Sequence, residues 1–89
     1  MMWELRRTDT FLKNLKEQRT NHQLLQELEE KLKRLREDPN VIGGELGGKL
    51  HGKKSTRIAK KFRLIFQIDS EEKIVYLIAI DHRGIVYER

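Results

Sequence analysis

Seven cations crowd the stretch Leu46–Ile68: Lys49, Lys53, Lys54, Arg57, Lys60, Lys61 and Arg63. His51 stands among them, and no acidic residue offsets them. Arginine is permanently charged and its planar fork holds two phosphate oxygens at once, so the pattern suits gripping a polyanion. The rest of the chain sharpens this. Residues 1–48 carry nine basic and nine acidic side chains and residues 49–89 carry ten and five, so the whole +5 net charge falls in the C-terminal half. A one-sided basic field draws in nucleic acid backbone by counterion release, although a charge run is also what an ordinary solvated face looks like. Arg83 adds a third guanidinium beyond the run, and His82 before it can change protonation near neutral pH, with an unperturbed pKa of about 6.5. That fits His82 either for acid–base work or for a polar turn. His51 could touch RNA from its loop or simply be solvated, and His22 reads as a surface residue in the first turn of a helix.

Length and composition narrow the classes. The 89 residues make one domain, expected to span 1–89. A chain this short buries only about 60–65% of its unfolded surface, so its core is small. There is no cysteine and there are three scattered histidines, which leaves no disulfide, no thiolate site and no Cys/His zinc cluster. No metal or other cofactor is expected. No apolar run approaches the ~20 residues that span a bilayer, and the N-terminus lacks the apolar stretch of a signal peptide, so the expected compartment is the cytoplasm.

The elements that must position these side chains follow from periodicity. Trp3 and Leu5 alternate with Glu4 and Arg6, predicting a short strand over Met2–Arg7. Thr8 or Thr10 caps a short helix ending near Gln18, with Phe11, Leu12 and Leu15 on one stripe. Thr20 followed by Gln23 is a capping-box spacing, and Leu24, Leu25, Leu28, Leu32 and Leu35 then recur at helical intervals. Acid-before-base pairs at four-residue spacing, Glu27–Lys31, Glu29–Lys33 and Glu30–Arg34, lace the outer face of this second helix. Pro39 disfavours helix at Asp38 and stops it near Glu37, giving a helical hairpin.

Asn40–Gly52 holds five of the six glycines and reads as a connection. Within it Gly43, Gly48 and Lys49 match the spacing of a nucleotide-binding phosphate loop. The match is rejected, because that loop needs a preceding strand, a Ser or Thr after the lysine and a following helix, whereas here Leu50 follows the lysine and strands follow the loop. Beyond it the period becomes two. Ser55–Lys60 and Phe62–Ile68 read as strands, Asp69–Glu72 as a polar turn, and Lys73–Ile80 as a central strand with Ile74, Tyr76, Ile78 and Ile80 on one face and Val75, Leu77 and Ala79 on the other. After a turn at Asp81–Gly84, Ile85–Tyr87 closes the chain as a short edge strand. The fold class is α+β: a leading strand, an antiparallel helical hairpin, then a mostly antiparallel sheet of three to four strands, with the hairpin on one face and the other face left for a ligand.

Taken in order, Thr56-Arg57-Ile58, Lys61–Ile68, Ile78–Arg83 and Val86-Tyr87 resemble the RelE/ParE superfamily of toxins, over almost the whole chain. The shared pattern is a basic residue on the second strand, an aromatic-Arg pair opening the third, and a basic-Arg step before a near-terminal Val-Tyr. The resemblance implies a RelE-like β-α-α-β-β-β fold and, in the RelE branch, a toxin that enters the ribosomal A site and cuts mRNA without a metal. It also implies a cognate antitoxin, a small protein whose acidic residues would complement the excess positive charge. It marks Tyr87 as the aromatic that stacks on a base or assists proton transfer, a role that also suits a phenol on a terminal strand.

Metal-free cleavage of RNA needs an activated 2′-hydroxyl, neutralised charge on the phosphate in flight, and a protonated 5′ leaving oxygen. Arg57, Arg63 and Arg83 suit the middle task, with Tyr87 and His82 as the other candidate catalytic groups. Lys49, Lys53, Lys54, Lys60, Lys61 and His51 are the candidate RNA contacts. One departure stands out. Ribosome-dependent members carry two basic residues on the second strand separated by one position, whereas here the residue two after Arg57 is Ala59. Lys60 or Lys61 could reach the same phosphate, and arginine makes a poor base, so the general base is left open. Ile65 shares the parity of Arg63, which leaves the facing of that strand open too. Three other readings stand beside a ribosome-dependent endoribonuclease: a gyrase-directed toxin of the ParE branch, a non-catalytic RNA-binding module, and an inactive toxin.

Overall fold

The computed structural model describes residues 2–42, 44–45 and 53–82. Lys49, His51, Arg83 and Tyr87, the phosphate-loop spacing and the expected strand Ile85–Tyr87 lie outside these residues.

Strand β1 spans Glu4–Arg7 and runs directly into helix α1, Asp9–Glu17. Thr8 makes the corner. Its hydroxyl oxygen accepts from the Phe11 N–H at 3.2 Å and caps the helix, while its proton is directed at the carbonyls of Leu77 at 2.8 Å and Ile78 at 3.1 Å. Helix α2, His22–Glu37, begins at Asn21 and not at the expected Thr20, because the Asn21 Oδ1 is the atom that accepts from the Leu24 N–H. Leu24, Leu28 and Leu35 are buried, with Leu25 and Leu32 packed against the same cluster. On α1 the stripe is narrower than its periodicity suggests: Phe11 is buried, but Leu12 is 46% exposed. Pro39 ends α2 as expected, opening a 3-10 turn over Pro39–Val41 that Asp38 caps through the Asn40 N–H.

The sheet has five strands in the order β1-β5-β4-β3-β2, with β2 at Gly44–Glu45, β3 at Lys54–Ile58, β4 at Phe62–Asp69 and β5 at Ile74–His82. All pairs are antiparallel except β1 with β5, which is parallel. The strand count exceeds expectation for two reasons. The leading strand joins the same sheet, and Gly44–Glu45 in the glycine-rich connection pairs with Lys54 and Ser55.

One irregularity decides what each face carries. Ile65 pairs with Ala79, but the next residue, Phe66, pairs with Leu77, so Ile78 is a bulge residue. A bulge reverses the alternation beyond it. Val75 and Leu77 face the helices before it and Ile80 does so after it, in one core cluster with Phe11, Leu24, Leu28, Ile58, Leu64 and Phe66. The unbroken alternation expected for Lys73–Ile80 is therefore wrong at Ile80 and Ala79, which exchange faces. β5 also continues through Asp81 and His82, where a turn was expected.

Candidate functional site: a cationic rung on the sheet

Register assigns the faces. The rungs Thr56–Leu64–Ile80 and Ile58–Phe62–His82 lie on the helix side, and the alternating rungs Arg57–Arg63–Asp81 and Ser55–Ile65–Ala79 lie on the other. Arg57 is exposed and Arg63 half-buried. They are direct partners across β3 and β4, so their Cβ atoms stand about 4.5–5.5 Å apart. Asp81 is the partner of Arg63 on its other side. Two like charges directly opposite one another weaken a strand pair, and Asp81 on the same rung offsets part of that charge. Ile65 does share the face of Arg63, yet it is only 2% exposed. Thus the arginines end at a rung of small and apolar residues.

Lys60 and Lys61 are exposed at the turn joining β3 to β4, one step beyond the rung. Lys53 is half-buried ahead of β3, and Lys54 shares the parity of Thr56 and Ile58, on the helix side. His82 is not brought to the arginines. Its ring meets Phe62 edge-on, with centroids 5.1 Å apart and planes at 73°, on the helix-side rung. The bulge is the cause: in an unbroken strand the partner of Arg63 would have been Ile80, and His82 would have shared its face.

The far end of the same face is different in character. Gln67 pairs with Tyr76, and the Arg6 guanidinium lies 5.8 Å above the Tyr76 ring. Arg6 is also hydrogen-bonded to Glu4 at 2.7 Å, which together with the charge attraction raises its already high pKa. A cavity of 520 Å³ opens there around Gln67, Tyr76 and Ile78, rimmed by Asp69 and Glu71. Carboxylates on the rim make this end less positive than the β3–β4 end, where Arg57, Arg63, Lys60 and Lys61 gather. Among the described residues no three His, Asp or Glu side chains converge as metal ligands. Among the same residues no helix is long and apolar enough to cross a membrane.

A leading strand and a helical hairpin packed on one side of a mostly antiparallel sheet is the architecture of the RelE-like toxins. The chain belongs to the ParE toxin family of type II toxin–antitoxin systems, whose sequence profile matches residues 5–87. Among solved structures it is similar to the toxin–antitoxin complex RelBE2 from Mycobacterium tuberculosis, at 28% identity and a TM-score of 0.78, covering 93% of this chain and 100% of that one. The E. coli toxin RelE, in the free state with two arginines replaced by alanine, matches at 22% identity and a TM-score of 0.70, covering 94% and 86%. The chromosomal ParDE system of P. aeruginosa matches at 18% and 0.67, covering 91% and 96%. The last two likenesses speak for the fold alone. No curated protein sequence matches the chain.

Proposed function

We propose that the chain is a ribosome-dependent mRNA endoribonuclease that cleaves by attack of a 2′-hydroxyl without a metal. The observation that carries this reading is the placing of Arg57 directly opposite Arg63 on the side of the sheet away from the helices. Two guanidinium groups at this spacing can hold the oxygens of one phosphate and stabilise the extra negative charge of a pentacoordinate intermediate. Lys60 and Lys61 extend the positive field along the strand leading to that phosphate. In this reading Arg83 and Tyr87 supply the remaining guanidinium and the stacking phenol. The test is to add purified protein to ribosomes programmed with a defined mRNA and map new 5′ ends. Intact message after stoichiometric addition, with Arg63→Ala behaving no differently, would refute the reading.

The family name favours a second reading, a gyrase-directed toxin. Double-strand DNA breaks on expression, unaltered by Arg57→Ala or Arg63→Ala, would establish it in place of the first. Either reading takes a cognate antitoxin as partner. The solved RelBE2 relative is a toxin–antitoxin complex, and an acidic partner segment would complement the rung and the turn lysines. Co-expression with the neighbouring reading frame, followed by co-purification at low and high salt, checks this.

A further inference from the structure

The turn joining β3 to β4 holds two consecutive non-glycine residues at positive φ, Ala59 at 49° and Lys60 at 59°. Side-chain sterics oppose this conformation, and it persists only where surrounding contacts impose it. Those contacts are visible. The Lys61 N–H donates to the Ala59 carbonyl within the turn. The Ala59 N–H, on a residue packed in the core, donates to Glu27 Oε1 at 2.8 Å, across 32 residues of chain. The other carboxylate oxygen, Oε2, accepts from Gln23 Nε2 at 3.2 Å, one helical turn back. Glu27 therefore does not serve the expected pairing with Lys31, but reaches from α2 to the end of β3. Arg57 lies two residues before Ala59 and Arg63 four residues after it, and Lys60 and Lys61 lie within the turn.

The geometry points to Glu27 as a positioning residue: by holding the Ala59 N–H it fixes the left-handed turn, and with it the relative placement of the Arg57–Arg63 rung and the turn lysines. This rests on the reading of the rung as an RNA-binding surface. Ala59 itself packs in the core cluster, and the exposed cations next along the chain are Lys60 and Lys61.

The experiment pairs amide hydrogen exchange at Ala59 with binding of a fluorescein-labelled single-stranded oligoribonucleotide at low salt. Glu27→Ala should lose the protection of the Ala59 N–H and bind RNA three- to tenfold more weakly. Glu27→Gln, which keeps an acceptor oxygen, should stay within twofold of the parent. Adding Ala59→Gly to Glu27→Ala removes the steric objection to positive φ and should restore binding to within twofold. This double variant also serves if Glu27→Ala alone does not fold. Undiminished protection at Ala59 in Glu27→Ala overturns the clamp, and parental RNA affinity in folded Glu27→Ala overturns the positioning role. A folded double variant that still binds weakly overturns it as well. Arg57→Ala in the parent is the control. If it leaves RNA binding unchanged, the reading of the rung fails, whereas exchange at Ala59 still decides the clamp.

Discussion

Arg63 stands between Arg57 and Asp81 on a single rung of the sheet, directly opposite each. The aspartate offsets one of the two positive charges, and the other is left facing its like. That residual repulsion is a cost to the fold of the order a cross-strand pair carries, about 0.2–1 kcal/mol.

Arg57→Ala should therefore leave the denaturant midpoint unchanged or slightly raised, by less than about 0.5 kcal/mol, since Arg57 is exposed and relieves repulsion when removed. In RNA binding the same variant should lower the salt slope by about 0.7 for each phosphate that Arg57 neutralises in the parent. A clear loss of stability would show that the rung is structural.

Arg63→Ala and His82→Ala should separate in single-turnover cleavage. The arginine stands on the face proposed to hold the phosphate, and its loss should cost about 10²–10³ in rate, as for one donor to a developing oxyanion. His82 meets Phe62 on the helix side and should cost far less. Equal losses would mean that cleavage does not use the Arg57–Arg63 face selectively.

Ile80→Ala should destabilise by about 2–4 kcal/mol, as for a buried Ile truncated to Ala, because the bulge turns Ile80 into the core. Ile78 is the half-buried bulge residue, and Ile78→Ala should cost no more than about half as much. Equal costs in urea unfolding would argue for an unbroken strand.

Thr8→Ala removes a helix cap and a donor to two β5 carbonyls together, at an expected cost of about 1–2 kcal/mol, while Thr8→Ser keeps the hydroxyl and should stay within about 0.5 kcal/mol. Thermal unfolding of the two variants side by side distinguishes the hydroxyl from the methyl.

On the neighbouring turn of α1, Asn14 Oδ1 accepts from the Ile80 N–H at 3.0 Å, beyond the end of the β1–β5 pairing. Asn14→Ala strands that part-buried donor and should cost about 1–3 kcal/mol. Asn14→Asp retains the acceptor and should cost less. Exchange of the Ile80 amide reports the loss directly.

The helices, the three long strands and the basic run were legible because each rests on local information: leucines at helical spacing from Leu24 to Leu35, the proline at 39, alternation through β3 and β4, and cations with no acid among them from Lys49 to Arg63. The pairing of Arg57 with Arg63 was half legible, since alternation gives each arginine a parity and Ile65 confuses it. The rest depended on contacts distant in sequence. Whether Asp81 or His82 joins the arginines is set by a single extra residue, Ile78, in a strand apolar on both faces, where no pattern of side chains marks the reversal. The role of Glu27 was equally hidden, because a helical carboxylate four residues before a lysine looks the same whether it meets that lysine or the backbone of Ala59, 32 residues on. Sequence alone specified the two helices, the cores of the longer strands and where the charge lies, for these follow from periods of 3.6 and 2 and from composition; tertiary structure alone added the short strand β2, carried β5 through His82 and chose which charged groups meet, because these depend on register, and register is a property of strands paired in space.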